Sequence, residues 1–576
     1  MKSKLLIIAS SILILVIVYF ELNNLINPHN TKTAKLVTSS ISCTPAKFLL
    51  KNQDSTKQIS PLFNNLGKLH FPVTTKNKRA QAFFNQGLKL AYAFNHAESH
   101  RSFMEAARLD PNMAMAYWGQ AFALGPNIND PQPANERKIQ INKAIAKATT
   151  LLPKTNLLEK ALINALTKRY SKDLATDIVA LNKNYMYAME TVANSFPNNA
   201  NVLILYAASV MNTVPWNYWD KNGKPSPNIN KAKIALEKAI ALKPENPGAH
   251  HYYIHLVELP FPDMGIKSAD KLASLMPGAG HIVHMPSHIY IRVGRYKDAV
   301  IVNKKAIEAD EDYISQCFSQ GLYPLAYYPH NIHFLWSSSS LLGDSKLAIT
   351  AAKKTAEKVP VGEYLEMPFL QDFASTPLLA YLRFGKWNDI LTFPTPKEEI
   401  KHLNLIRHYA RGIAFIKKEN LEKAKIELSA IETLKNDPEL DTLFAVPNNK
   451  SSDLAAIAFH IVAGELAAAK NNYNEAIKNY KSAVIIEDNL VYTEPAPWHI
   501  PTRQYLGNAL IKTKNYEAAE IIYNEDLDIN RQNGWSLIGL YNCLNAQKKY
   551  QEAKKIKLEF NEAWKHADIE INSSVF

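Results

Sequence analysis

The chain has 576 residues, of which 47% are hydrophobic and 21% charged, and only 19 glycines. That balance excludes a collagen-like or low-complexity polymer and leaves either several domains or one extended array. The net charge is +13, yet the lysines are spread along the chain and no basic patch interleaves with aromatics, so the charge reads as solvated helix faces and nucleic acid is not an expected partner.

The first element in chain order is apolar. Lys2 and Lys4 precede LLIIASSILILVIVYF, residues 5–20, which as a helix would run about 24 Å at about 1.5 Å per residue. Leu22, Leu25 and Ile26 can lengthen it, and the flank YFELNNLINPHN offers no small-residue cleavage site. Residues 1–26 are therefore expected to be a single-pass membrane anchor, with secretion after signal cleavage as the alternative. The two lysines keep the amino terminus inside, which puts the bulk of the chain on the periplasmic or outer side of an inner membrane. SSISC, ending at Cys43, lacks the leucine of a lipoprotein signal. Cys43, Cys317 and Cys543 are too far apart for a CxxC metal motif and too few for a disulfide framework; one long-range bridge stays open. Residues 27–77, rich in Thr, Ser, Lys and Asn, read as a polar linker.

From residue 78 to about 565 the pattern is helical and repetitive, with a short tail at 566–576. In FFNQGLKLAYAFNHAESHRSFMEAARLDP, residues 83–111, the side chains of Phe83, Gly87, Leu90, Ser99, Phe103, Ala106 and Pro111 alternate bulky and small. The same grammar returns at Gly294, Tyr296, Ala299 and Ala306, at Gly343, Ala348, Ala352 and Pro360, at Tyr473, Ala476, Tyr480 and Ala483, and at Tyr516, Ala519 and Tyr523. Antiparallel helices approach closely where small side chains meet large ones, and each pair must bury its other face on a neighbour. These stretches resemble the tetratricopeptide repeat (TPR) family. The resemblance is strongest over 83–111, 281–311, 330–360 and 455–525, and the phrases GPNIN and HMPSHIY look like those of a set of bacterial repeat proteins of unassigned function. It implies an all-α solenoid of about ten helical hairpins in a right-handed superhelix, with a concave groove that holds a protein or peptide. Residues 112–245 depart from the pattern, through insertions such as PNINDPQP and NTVPWNYWDKNGKPSP.

Eight of the 17 histidines fall between His250 and His333. At about 100° per residue, His281, His284 and His288 share an arc of about 60°. His251, His255 and Glu258 share another, and His330 and His333 a third. The repeat register places His281, His284, His288, His330 and His333 on first helices, facing the groove. For the earliest helix, counting from Pro277 presents His250, Ile254 and Glu258. A one-residue shift, allowed by the irregular loop LPFPDMG, presents His251, His255 and Glu258, the preferred set because it brings three polar groups together. Neighbouring helices about 8–10 Å apart let imidazoles from two of them reach one ion. The expected metal ligands are His251, His255, Glu258, His281, His284, His288, His330 and His333. A nitrogen-rich set without thiolate suits zinc, copper or iron. The alternative is a non-enzymatic adaptor that grips a peptide without metal.

Other stretches carry weaker expectations. His96 occupies a packing position. EPAPWHIPTR, with Glu494, Trp498, His499 and Arg503, reads as a plain turn that could instead wall the hollow. The aromatic insertion with Trp216, Tyr218 and Trp219 is equally a lid or a packing plug, and Arg292 an anion ligand or a helix cap. No nucleophile elbow, phosphate loop or dinucleotide fingerprint appears, so any catalysis would rest on the metal.

Overall fold

The computed structural model describes residues 58–317 and 323–576. Residues 1–57, which hold the expected anchor and most of the expected linker, lie outside the described residues. Among the described residues all regular structure is helical, apart from isolated bridges such as Asn127 with Asp130. Twelve helical pairs follow one another, the first formed by Lys78–Tyr92 and His96–Leu109 and the last by Gly534–Ala546 and Tyr550–Ala563. The irregular stretch 112–245 is not an interruption, because its insertions join helices that still pair.

Local chemistry explains the punctuation. Asn77, Asn95, Asn156, Asn199, Asn246, Asn420, Asn472 and Asn533 each cap a helix by accepting a hydrogen bond from its first turn. Eight hairpins turn through one left-handed residue two places before the second helix: Phe94, Gly294, Gly343, Gly385, Glu419, Asn471, Lys514 and Lys548. Only three are glycine, so the turn's geometry is imposed by packing.

The small-to-large grammar is literal. A Cβ on Gly87 would stand 2.8 Å from the Phe103 ring, and one on Gly119 2.3 Å from it. Phe103 is thus seated between its own first helix and that of the next hairpin. Tyr523 repeats the arrangement between Gly507 and Gly539, at 2.5 and 2.3 Å. Ser451–Ala469, the one described helix long and apolar enough to cross a membrane, is a core helix of the same kind, more than half buried against its neighbours.

The array bends until its last hairpins touch its middle. Tyr296 donates to the Arg531 carbonyl (2.7 Å), Arg531 pairs with Asp263 (2.9 Å), and the Trp535 indole donates to the Ser340 carbonyl (3.1 Å). Both ends of the array are tied down as well. Residues 58–77, expected as linker, lie along the first hairpin: Ser60 donates to Glu98 (2.6 Å), the Ile59 amide to Glu105 (3.0 Å), and Leu66 and Phe71 are buried. In the expected tail, Asp568 accepts from the Ser345 amide (2.7 Å) and Ser574 donates to the Gln504 carbonyl (2.8 Å).

Candidate metal centre

The bend encloses the histidine-bearing helices. Pro247–Val257 carries His251 and His255, and Glu258 follows at its carboxyl end. The next first helix is broken: Pro286 has no N–H to offer the Ile282 carbonyl, so Gly280–His284 and Pro286–Arg292 form two segments. The break does not separate His284 from His288, whose Nε2 atoms lie 2.9 Å apart. Tyr328–Leu342 brings His330, preceded by a five-residue π-helical turn, Tyr323–Tyr327. Gly280 is required because a Cβ there would fall 1.9 Å from Asp310 Oδ1. That carboxylate accepts from Tyr323 and Asn331 (both 2.7 Å), and the Tyr323 hydroxyl accepts from the His281 amide (3.3 Å).

The donor atoms gather in three overlapping groups, each with its ligand atoms within 4.8 Å of one another: His251, His255 and His281; His284, His288 and His330; and His255, Glu258 and His288. Phe94, the left-handed turn residue of the first hairpin, packs among the first group, its ring centre 4.4 Å from His251 and 5.5 Å from His281. Contrary to expectation, the faces do not line an open groove. All these side chains are buried except His330, which is half-buried.

Outer hydrogen bonds fix which nitrogen points inward. His251 Nδ1 donates to the Tyr92 carbonyl (2.5 Å), leaving Nε2 as a buried lone pair without a hydrogen-bond partner. His284 Nδ1 donates to Asn303 Oδ1 (2.6 Å), and the Asn303 amide is itself oriented by donating to the Ala299 carbonyl (2.8 Å). Both ring nitrogens of His281 and Nε2 of His255 lack hydrogen-bond partners, and His255 Nδ1 has only Glu258 Oε2, at 3.5 Å. Buried polar atoms are ordinarily paired, so this concentration in one place makes the cluster the candidate site. Backbone- and amide-oriented imidazoles are the outer arrangement that metal centres use. Asn303→Ala is expected to weaken metal affinity about 10–100-fold while leaving the helical circular dichroism intact, as read by competition with a chromophoric chelator.

Two buried carboxylates supply negative charge. Glu258 Oε2 lies 3.0 Å and Glu494 Oε2 2.8 Å from His288 Nδ1. Burial opposes a charge on each, but the carboxylates prevail at His288 and raise it to about 10. Burial would likewise raise Glu258, yet His288 and His255 draw it down to about 2, whereas burial keeps Glu494 up at about 7. Desolvation, reinforced by neighbouring rings, holds His251, His281, His284 and His330 well below the usual imidazole range. They are neutral donors near pH 7.

Glu494 corrects the reading of EPAPWHIPTR as a plain turn, since that loop walls the cluster. His250 turns away to Ser268 (3.0 Å) and the Pro244 carbonyl (2.8 Å). The aromatic insertion divides its roles: Tyr218 is buried and Trp219 is pinned to the Leu256 carbonyl (2.6 Å), while Trp216, 39% exposed, lies edge-on over His255 at 5.1 Å. Arg292 donates to the Leu259 carbonyl (3.4 Å) and lies over Tyr492, so its bonding is to the fold. His96 is part of the packing, stacked on Phe94.

His333 is not brought to the cluster. It stacks on Trp336 (4.8 Å) and meets Phe373 (5.2 Å), and burial lowers its pKa to about 3. An unfolded chain protonates this ring near 6.5, the folded one only near 3, so its contribution is whole above pH 6.5 and falls as pH drops through that window. Relative to His333→Phe, the wild type should lose about 1.4 kcal/mol of stability per pH unit between 6.5 and about 3, measured by denaturant unfolding at stepped pH.

No family model and no curated protein matches the chain. Among solved structures it is similar to the human IFIT1 dimer with PPP-AAAA (14% identity, 86% of this chain and 92% of that one, TM-score 0.29). It is also similar to the P58(IPK) TPR domain (12%, 82% and 99%, TM-score 0.19) and to the APC/C hetero-tetramer Cut9-Hcn1 (13%, 84% and 94%, TM-score 0.24). Scores this low carry nothing about function. By its own hairpins, turns and interlocking small and large residues, the chain is a TPR-type helical array that encloses a histidine–carboxylate cluster.

Proposed function

We propose that the protein is a metal-binding helical-repeat protein that holds a transition metal inside its array. One observation carries this reading: buried imidazole nitrogens without hydrogen-bond partners converge from neighbouring hairpins, with their tautomers set by outer hydrogen bonds. The donor set fits. An ion holding His284 Nε2 and His288 Nε2 at about 2.0–2.1 Å would separate them by about 3.0–3.4 Å, close to the 2.9 Å between them. Metal would replace the proton on His288, so binding releases protons and weakens as pH falls. Neutral nitrogens and carboxylate without thiolate select zinc, copper or iron. The apolar residues 5–20 support an anchored, outward-facing location. A peptide-gripping groove finds less support at these residues, because a peptide needs exposed side chains and these are enclosed.

The test is reconstitution. Protein stripped with chelator is incubated separately with zinc(II), copper(II) and iron(II) salts, desalted, and analysed by plasma mass spectrometry. At least one metal should remain at one ion or more per chain and raise the melting temperature. If none of the three remains, the reading fails.

A further inference from the structure

We infer that the cluster is built for two ions, each held by three imidazoles, with Glu258 joining the two sets. The inference rests on the metal reading above and adds to it the number and division of the sites.

Donor atoms on one ion at about 2.1 Å lie no more than about 4.2 Å apart. Here the ring nitrogens come within 4.8 Å of one another only in trios, and His251, His255 and His281 share no member with His284, His288 and His330. Six imidazoles cannot serve one ion from these positions. Ring-centre distances do not follow this division: within the trios they run from 4.9 Å, for His251 with His255 and for His284 with His330, to 5.9 Å for His288 with His330 and 6.3 Å for His255 with His281. Between the trios His255 and His288 stand 5.4 Å apart and His281 and His284 5.8 Å, so the division rests on the donor atoms and not on the rings.

The third group takes one histidine from each trio and adds a carboxylate. Glu258 Oε2 lies 3.5 Å from His255 Nδ1 and 3.0 Å from His288 Nδ1. A carboxylate touching one ligand of each ion orients both rings and offsets part of the added charge, and the nearby Glu494 offsets more. Glu258 is a positioning residue in this scheme.

The full chain, stripped of metal, is titrated with zinc(II), and bound ions are counted by plasma mass spectrometry. Wild type should bind two per chain. His281→Gln and His330→Gln, each altering one trio, should bind one, and His333→Gln, outside both, should keep two. Circular dichroism checks that each variant is folded. The copper(II) form gives a reading without variants: two ions this close broaden each other's EPR signal. A single ion per chain, with the EPR spectrum of an isolated copper at saturation, overturns the two-ion inference and leaves the metal reading standing. No bound ion at all overturns both.

Discussion

The His284→Ala/His288→Ala double variant is expected to lose more than 100-fold in metal affinity at the site these two rings share, and to keep at most the ion of the His251, His255 and His281 set. Both Nε2 atoms aim at one point 2.9 Å across, and both rings are backed by fixed partners, Asn303 behind His284 and two carboxylates behind His288. Loss of an outer partner alone costs metal centres about 10–100-fold; loss of the ligands themselves costs more. The same variant leaves Glu258 and Glu494 buried without the charge of His288, so their pKa values should rise and one proton should be taken up near neutral pH. Calorimetry with zinc(II) reads the affinity, and a far-UV spectrum confirms the helices. Wild-type affinity in a folded double variant would place the metal elsewhere.

Phe103→Ala is expected to cost about 3–5 kcal/mol. The ring is fully buried and fills the space that Gly87 and Gly119 leave open on two successive hairpins. Its removal opens a cavity at the junction from which the first turn, with Phe94 at its tip, reaches the histidines. Repeat arrays are coupled by neighbour interfaces, so the first hairpins should unfold at lower denaturant than the rest. Gly119→Val tests the same joint from the other side, forcing a side chain into a ring 2.3 Å from its Cβ. Unaltered urea midpoints in both variants would contradict the interlocking role.

The hairpins are legible because their cause is local. Alternating bulky and small residues at helical spacing have few other uses, and the caps and turns agree with them. The histidine arcs are legible for the same reason: three residues on one helix keep their angular relation, even across the break at Pro286. His333 shows the limit. It shares an arc with His330 but sits three residues, about 4.5 Å, further along the axis, and there Trp336 and Phe373 receive it. Enclosure was not legible, because it depends on Arg531 reaching Asp263 and on Tyr296 reaching the Arg531 carbonyl, contacts that no periodicity encodes. Glu494 belongs to that class, arriving from a loop 206 residues beyond His288. Asn303 did leave a trace. A first-helix histidine meets a second-helix acceptor 19 residues later at His284 and Asn303, at His408 and Glu427, and at His460 and Asn479. In all three the bond uses Nδ1, a property of the repeat; what sets His284 apart is His288 on its other side.

Anomalous X-ray diffraction from zinc- or copper-loaded crystals, collected at the metal's absorption edge, locates the bound ions. Strong peaks should lie within the cluster, about 2.0–2.2 Å from ring nitrogens of His284, His288 or their neighbours. Peaks confined to surface histidines, or an empty cluster in crystals that carry bound metal elsewhere, would rule out a metal centre in the array.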